Sequence, residues 1–281
     1  MANKQSFLKL SKVPITPQIS IKIPTVGEVL DDEQTYYSLT SSLTAAPFSY
    51  MVQLDDMGID YTTINEWELF MLIFRGYAHQ QKQLLLRIIQ DTKKDVSRLS
   101  KQELVDWIMG LPELQENYRR MGFSMVFEYM ELSGFDVCED KETGETCLHN
   151  SLTDATIDRL VYMDIANTIR KINLFEHVKS KPGNDAAKKY LLEKERRKLK
   201  RNVKKPYKPY LENLVIAVVN NREFPYNYEE CENLSLYKFN QSFRQIQHKI
   251  AFDNTSLGIY TGNINASKMQ NKDVLSFVQT K

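Results

Sequence analysis

Asn65 followed by EWELFMLIFRGYAHQ (66–80) is the stretch that decides the class of fold. Asn65 is a favourable N-cap, and Glu66 and Glu68 stand in the first turn, where acidic side chains favour the helix dipole. The apolar residues that follow cover nearly every face of such a helix. A helix that is apolar almost all round is buried in a core or against a partner. The sequence therefore predicts a buried helix at this position.

The composition of the whole chain also favours helices. Only 10 of the 281 residues are Gly, and no Gly-rich phosphate-binding motif occurs. The hydrophobic content of 42% is enough for one large core or two modest ones. We therefore predict a mainly α, multi-helix globular protein with a small central β-hairpin.

Proline, glycine and charge patterns divide the chain into regions. We predict an N-terminal arm (1–25), a helical N-terminal region (26–132), a β-hairpin insertion (133–151), a helical C-terminal region (152–265) that contains a basic helix (185–205), and a C-terminal tail (266–281). Two further helices are expected. One starts at Thr153 or Asp154, and the other runs from Leu234 to about Phe252. The stretch FSMVFEYMEL (123–132) is compatible with a strand or with a buried helix.

The charges of the chain are laid out unevenly although the formal net charge is only +1. No Lys or Arg occurs from Ile23 to Phe74, where acidic residues are frequent, whereas Lys188 to Lys208 contains eleven Lys and Arg and two Glu. Such blocks indicate surfaces that meet different partners or each other. We expect the acidic and basic blocks to attract, within one chain or between copies, and rising salt to loosen that contact.

Two sets of residues are candidates for binding partners. Aromatic and Met side chains within the acidic block are candidates for a protein interface, with an ordinary place in the core as the alternative; they are Tyr36, Tyr37, Phe48, Tyr50, Met51 and Met57. The basic surface is a candidate for docking on protein or for phosphate contacts with nucleic acid; it comprises Lys194, Arg196, Arg197, Lys198, Lys200, Arg201, Lys204 and Lys205.

No constellation of residues indicates catalysis or a cofactor, and we expect a protein that is not an enzyme. Cys138, Cys147 and His149 invite a zinc interpretation, but the spacing C-x8-C-x-H fits no common zinc motif. The alternative is two cysteines that face each other across a hairpin. The odd number of cysteines, with Cys231 as the third, predicts reduced thiols in a cytoplasm. No stretch approaches 18 apolar residues, so no membrane span is expected.

Several stretches together resemble a protein common in the tail gene clusters of phages and prophages of Gram-positive bacteria. They are IKIPTVGEVLDDEQTYYSLTSSLTAAPFSYMVQLDDMGIDYTTINEWELFMLIF (21–74), PGNDAAKKYLLEKERRKLKR (182–201), PYLENLVIAVVNNREFPYNYEE (209–230) and LSLYKFNQSFRQIQHKIAFDNTSLGIYTGNINASK (234–268). The resemblance extends from about Ile21 to Lys268. The phrase from Ile23 to Glu28 also resembles one near the start of several tail assembly chaperones.

The resemblance implies a function in tail morphogenesis. A tail assembly chaperone binds the apolar, helical tape-measure protein in the host cytoplasm before the tail tube polymerises, and is normally absent from the virion. The alternatives are a minor structural protein that remains in the virion tail and a nucleic-acid-binding accessory protein that acts through residues 188–208. The expected partner is a phage protein, the tape-measure protein or another tail component, and self-association is also compatible with the sequence.

Overall fold

A computed structural model describes residues 6–93, 95–140, 144–177, 180, 182–202 and 205–278. Within these residues the chain forms twelve α-helices and five short strands, which confirms the predicted mainly α fold. The helices are α1 (Val26–Asp31), α2 (Glu33–Leu43), α3 (Met51–Asp56), α4 (Glu66–Thr92), α5 (Lys101–Met109), α6 (Pro112–Arg120), α7 (Phe123–Val126), α8 (Arg159–Asn173), α9 (Asp185–Asn202), α10 (Leu211–Val219), α11 (Tyr228–Asn233) and α12 (Leu236–Tyr260). The strands are β1 (Lys12–Pro14), β2 (Ser20–Lys22), β3 (Phe135–Glu139), β4 (Thr146–Asn150) and β5 (Thr156–Ile157).

Helix α4 is the 27-residue element around which the core is built. It begins with a capping box: the Asn65 side chain accepts from the Glu68 amide at 3.0 Å, and the Glu68 carboxylate accepts from the Asn65 amide at 2.7 Å. Phe70 and Phe74 are stacked along the helix, and Phe70 also contacts Tyr162 of α8, with ring centroids 4.7 Å apart. The buried helix predicted from the sequence is therefore confirmed.

One large core joins the first and second halves of the chain. It contains Phe70 and Phe74 from α4, Phe123 from α7, Ile165 from α8 and Phe239 from α12. Two smaller clusters lie beside it, one around α3 and one where α5 and α6 cover the second half of α4. Among the described residues, no helix is both long and apolar enough to span a membrane.

The described part of the predicted N-terminal arm (1–25) packs against the large core. β1 and β2 pair antiparallel with Val13 opposite Ile21. Side chains at alternate positions in and beside the second strand are buried, namely Ile19, Ile21 and Ile23. The short strand permitted by the alternating sequence thus exists, and its period-two pattern faces the helices.

The central hairpin of β3 and β4 is confirmed, with Phe135 opposite Asn150 at one end and Glu139 opposite Thr146 at the other. A buried hydrogen-bond network closes its base. The Glu131 carboxylate accepts from the Gly134 amide at 2.9 Å and from the Asn150 side chain at 2.8 Å. The Asn150 side-chain oxygen in turn accepts from the amides of Leu152 and Thr153 at 2.8 and 3.0 Å.

The helix expected to start at Thr153 or Asp154 starts later. The Asn150 side chain holds Thr153 in a turn, and Asp154 has a positive φ of 58°, so neither residue can open a helix. β5 follows and pairs with β4 as a third strand. Helix α8 then begins at Arg159, with the Asp158 side chain accepting from the amide of the third helical residue at 2.7 Å.

The structure also settles three other element boundaries, at residues 123–132, at the end of α12 and at the end of the basic helix. Residues 123–132 form neither a long helix nor a strand, because α7 ends at Val126 and the chain continues in irregular conformation. Helix α12 begins at Leu236 and extends to Tyr260, beyond the predicted end near Phe252. The basic helix ends at Asn202 in the described part of the chain, and Lys204 lies outside the described residues.

Candidate functional site

The oppositely charged blocks contact each other within the chain, where α9 lies against α3. The Arg196 guanidinium donates to Asp55 at 2.5 Å and to Asp56 at 2.6 Å. Lys188, in the first turn of the same helix, pairs with Asp60 in the loop after α3. Three leucines of α9 (Leu191, Leu192 and Leu199) pack against the apolar cluster around α3. The contact therefore combines charge pairing with a narrow apolar seam.

This docking of α9 is shallow. Every described side chain of α9 is at least partly accessible, and none is buried. Hydrogen bonds from Lys188 and from Thr62 lower the pKa of Asp60 from 3.8 to about 2. The ammonium of Lys188 also lies 5.8 Å from the ring centroid of Tyr61. Exposed pairs of this kind are individually weak because water and salt screen them, so α9 is attached by several weak contacts.

The structure separates the six aromatic and Met candidates of the acidic block. Tyr36 and Met51 are both 2% exposed, because Tyr36 faces the large core and Met51 faces the cluster around α3. These two side chains are core residues, which is the alternative that the sequence left open. Tyr37, Phe48 and Tyr50 are half-buried against the same clusters. Met57, at 62% exposure, is the one that projects into solvent.

The basic candidates divide between two faces of α9. Arg196 faces α3, whereas the other described members are exposed or paired within the helix. Arg197 pairs with Glu193 at 3.0 Å, and Lys198 pairs with Glu195 at 3.1 Å. Exposed side chains of α9 are Lys194, Arg197, Lys198, Lys200 and Arg201, and Lys205, which follows the helix, is also exposed. The outward face of α9 thus remains strongly cationic after the internal pairing with α3.

A second surface, which sequence reasoning missed, is the distal half of α12. Ile246 is the last buried residue of this helix. Beyond it, Ile250, Leu257 and Tyr260 are exposed, the last by 90%. Their spacing of seven and three residues places them on one side of the helix. This spacing is visible in the sequence, but the predicted end of the helix near Phe252 concealed it.

The C-terminal segment covers only part of that distal half. The Gln245 side chain donates to the Phe277 carbonyl at 2.9 Å, and a His248 ring nitrogen lies 2.7 Å from the Ser276 carbonyl. Phe277 contacts Phe252, with ring centroids 6.2 Å apart. Phe277 and Val278 are themselves more than half exposed. We call Ile250, Leu257 and Tyr260 the distal apolar surface.

A buried carboxylate fixes the chain that follows α9. Glu33, on the first turn of α2, accepts from the Tyr207 hydroxyl at 2.6 Å and from the Tyr210 amide at 2.7 Å. Burial and the Glu33 carboxylate raise the pKa of Tyr207 to about 12. In the sequence, Glu33 is indistinguishable from the capping acids beside it, since its partners are more than 170 residues away. These two hydrogen bonds to Glu33 attach the segment between α9 and α10 to α2.

A cavity of about 560 Å³ lies between the N-terminus of α4 and α8. The charged residue Glu66 lies in its lining. The Glu66 carboxylate accepts from the Arg170 guanidinium at 3.0 Å and lies 2.5 Å from a ring nitrogen of His177. Burial raises the pKa of Glu66, but the hydrogen bonds from His177 and Arg170 outweigh it and lower the pKa below its usual value. The residues that line the cavity include Pro47, Phe48, Tyr61, Ile64, Glu66, Trp67, Arg159, Tyr162, Met163, Arg170 and His177.

Two phenol hydroxyls in this lining stand out. Tyr61 is 5% exposed and Tyr162 is 3% exposed, and both hydroxyl oxygens are enclosed, that of Tyr162 beside the Arg170 guanidinium. Burial, followed by the nearby Glu66, raises the pKa of Tyr162 to about 12, while the adjacent Arg170 opposes this rise. The cavity therefore has largely apolar walls and one carboxylate, Glu66, which is paired within the protein.

The cysteine and histidine candidates form a cross-strand contact. Cys138 is opposite Cys147 in the β3–β4 register, and their sulfur atoms are 3.1 Å apart. Burial and the neighbouring Cys138 raise the pKa of Cys147 to about 12. His149 instead lies 2.9 Å from the Thr156 hydroxyl. Among the described residues, no group of three or more His, Cys, Asp or Glu side chains is arranged to hold a metal ion.

Comparison with known proteins finds a phage-associated family. A family model described as the YomV second domain matches residues 202–278, less than a third of the chain. The family name comes from a Bacillus prophage protein, so the match supports a phage origin. The matched segment contains α10, α11, α12 and the distal apolar surface. No curated protein and no solved structure matches the chain.

Proposed function

We propose that the protein is a non-enzymatic phage tail assembly factor, a chaperone that binds the tape-measure protein in the host cytoplasm. The observation that carries this proposal is the distal apolar surface, which lies inside the segment that matches a phage-associated family. Helical partners dock on such surfaces through apolar residues at positions i, i+3, i+4 and i+7. A long apolar helix of the tape-measure protein has the complementary pattern.

The exposed apolar side chains themselves support binding to protein. Ile250, Leu257 and Tyr260 form a stripe beyond the last buried residue of α12, so they contribute little to the core. Large exposed apolar groups of this kind mark interaction sites when they are contiguous.

Co-purification tests the proposal. The protein and the tape-measure protein from the same gene cluster, co-expressed, should elute together from a sizing column. Leu257→Lys should weaken the complex about tenfold or more, because it places a charge in the apolar contact. Leu160→Lys on α8 is the matched control, since Leu160 is similarly exposed but lies outside the distal apolar surface.

Two results would contradict the chaperone function. Clean separation of the two wild-type proteins at low salt would remove the proposed partner. Equal losses from Leu257→Lys and Leu160→Lys would remove the distal apolar surface as the binding site. Mass spectrometry of purified virions distinguishes a chaperone from a minor structural protein, because the structural protein should be present at a fixed copy number.

A second candidate function, nucleic-acid binding, is favoured by the outward face of α9. Lys194, Lys200 and Arg201 are exposed there and make no ion pair with the described residues. Phosphate contacts would give an affinity that falls steeply with salt. Replacing these three by Gln should abolish a gel shift, whereas Arg196→Gln, on the inward face, should leave it. An unchanged gel shift in the triple variant would remove this candidate.

A further inference from the structure

We propose that Cys138 and Cys147 form a redox modification site, where a low-molecular-weight disulfide oxidises the two thiols to a reversible cross-strand disulfide. Oxidised glutathione represents this class of oxidant. The site belongs to the hairpin of β3 and β4 and uses no residue of the distal apolar surface or of α9, so the inference goes beyond the proposed function. It rests on the strand register, the distance between the sulfur atoms and the unequal accessibility of the two thiols.

The register of the hairpin brings the two sulfur atoms together. Cys138 is directly opposite Cys147 in the antiparallel pair, so both side chains point to the same face of the sheet. Directly opposed residues have Cα atoms about 4.5–5.5 Å apart, which lies within the range of about 4.4–6.8 Å that a disulfide requires. The sulfur atoms themselves are 3.1 Å apart. A disulfide therefore needs a small movement of two side chains and no change of register.

Both ends of the hairpin are held by hydrogen bonds, which keep the two thiols opposed. Towards the tip, the Asp140 amide donates to the Glu145 carbonyl at 2.9 Å. At the base, the buried Asn150 side chain donates to the Glu131 carboxylate at 2.8 Å. Two groups held in a near-reactive geometry react with each other far more readily than with a dissolved molecule. The internal disulfide is therefore favoured over two separate mixed disulfides with glutathione.

The unequal accessibility of the two thiols sets the order of the reaction. Cys138 is partly accessible, whereas Cys147 is only 3% exposed. Burial, together with the neighbouring Cys138, raises the pKa of Cys147 to about 12, so its thiolate is scarce at neutral pH. Cys138 is therefore the thiol that meets the oxidant first. Cys147 then acts as the resolving thiol, and capping of the Cys138 sulfur removes part of the cause that raises its pKa.

The reaction consists of two balanced thiol–disulfide exchanges. The Cys138 thiolate attacks one sulfur of oxidised glutathione, which forms a mixed disulfide and releases one glutathione, and this glutathione takes up the proton that Cys138 lost. The Cys147 thiolate then attacks Sγ of Cys138, and the second glutathione leaves with the proton that Cys147 lost. The two cysteines lose two electrons and two protons, and one oxidised glutathione becomes two reduced molecules. Excess reduced glutathione reverses both steps.

Mass spectrometry of the folded protein, after incubation with oxidised glutathione, tests the proposal. Lys141 lies between the two cysteines in the sequence, so trypsin separates them into peptides 121–141 and 142–159. In a non-reduced digest these peptides should be joined, with a mass two hydrogen atoms below their sum. Cys231, which is fully buried, should stay a free thiol. Free thiols at both Cys138 and Cys147, or glutathione that remains on Cys138 of the wild type, would overturn the proposal.

Two variants test the order of the steps. Cys147→Ser should stop at the mixed disulfide of Cys138 with glutathione, because no resolving thiol remains. Cys138→Ser should stay unmodified, since the remaining hairpin thiol is buried. Cys231→Ala is the matched control and should form the disulfide as the wild type does. Glutathione on Cys147 of the Cys138→Ser variant, at the rate seen for Cys138, would overturn the assignment of Cys138 as the attacking thiol.

Hydrogen exchange measures the effect of the disulfide on the hairpin. Linking β3 to β4 restricts the open states in which the strands separate, so their amides should exchange about tenfold more slowly after oxidation. Dithiothreitol should restore the original rate, because an excess of dithiol reduces the disulfide. Amides of α9 are the internal control and should not change. Unchanged or faster exchange in β3 and β4 would show that the disulfide does not fit the native register, and would overturn the proposal.

Discussion

Asn150 does more for the fold than its place in a hairpin strand suggests. Its amide group donates to the Glu131 carbonyl and carboxylate, both at 2.8 Å, and its oxygen accepts from two amides of the following turn. A Cβ on Gly134 would lie 2.4 Å from that oxygen, so only glycine fits beside it. Asn150 is fully buried and thereby joins the loop before β3, the strand β4 and the turn after it.

We expect Asn150→Ala to lower the free energy of unfolding by about 2–3 kcal/mol, because it leaves the buried Glu131 carboxylate with one donor fewer and strands two amides. Urea unfolding measures the change. Asn233→Ala is the control: Asn233 also donates to a backbone carbonyl, at 2.8 Å, but is exposed. Its effect should stay within about 0.5 kcal/mol. Similar losses in both variants would contradict the importance of the buried network.

The sequence reveals some of these residue-level features and hides others. The start of α4 is predicted from the sequence because Asn65 and Glu68, the partners of its capping box, are three residues apart. Asn150 and Glu131 are 19 residues apart, and Glu33 meets Tyr207 across most of the chain. No local pattern encodes such pairs, so they become visible only in the folded structure.

Among the elements, α9 is the one that the sequence marked most clearly and that is held most weakly. Its basic composition predicted a contact with the acidic block, and the structure places Arg196 between Asp55 and Asp56. Its leucines are only partly covered. An element without a buried residue opens locally at low cost, in contrast to α4 or α8. We therefore expect α9 to exchange its amide hydrogens faster than the core helices do.

Charge reversal at Arg196 should release α9 more often. Arg196→Glu replaces two attractive contacts by repulsion, which should raise the exchange rate of α9 amides about fivefold or more, because two individually weak pairs are lost together. Arg197→Glu is the matched control, because Arg197 pairs only within α9. Hydrogen exchange read by mass spectrometry compares the two. Equal rates, or a difference that persists in about 1 M salt, would contradict electrostatic docking.

Acid should weaken the same element through Asp60. The pKa of Asp60 in the folded protein, about 2, is below its unfolded value of 3.8. The stability that its pairing with Lys188 contributes is therefore complete above about pH 3.8 and is lost as the pH falls towards 2. Asp60→Asn should exchange faster than the wild type over residues 188–199 at pH 5, and the difference should vanish near pH 2. Asp91→Asn, at an exposed site on α4, should show no such difference; a gap that persists at pH 2 would contradict the assignment.

For the molecule as a whole, the sequence predicted the class of fold but not the arrangement. The buried helix at 66–80, the hairpin and the helical second half follow from periodicity and turn residues, which act over a few positions. The large core instead combines α4 with α8 and α12, which are distant in sequence. The distal apolar surface and the cavity between α4 and α8 depend on that arrangement, so neither could be predicted from local patterns.

The junction of the N-terminal segment with the start of α12 has a consequence for how the protein folds. The Val26 amide donates to the Leu234 carbonyl at 2.9 Å, and the Leu236 amide donates to the Pro24 carbonyl at 2.7 Å. These bonds close a loop of about two hundred residues. Closing such a loop lowers the conformational entropy of the chain before the new contacts can stabilise it. During synthesis the first strands emerge early and then wait for the last helices. Until those helices are synthesised, the nascent chain exposes Ile21, Ile23 and Val26. During this time, binding by a host folding factor or aggregation competes with formation of the native structure.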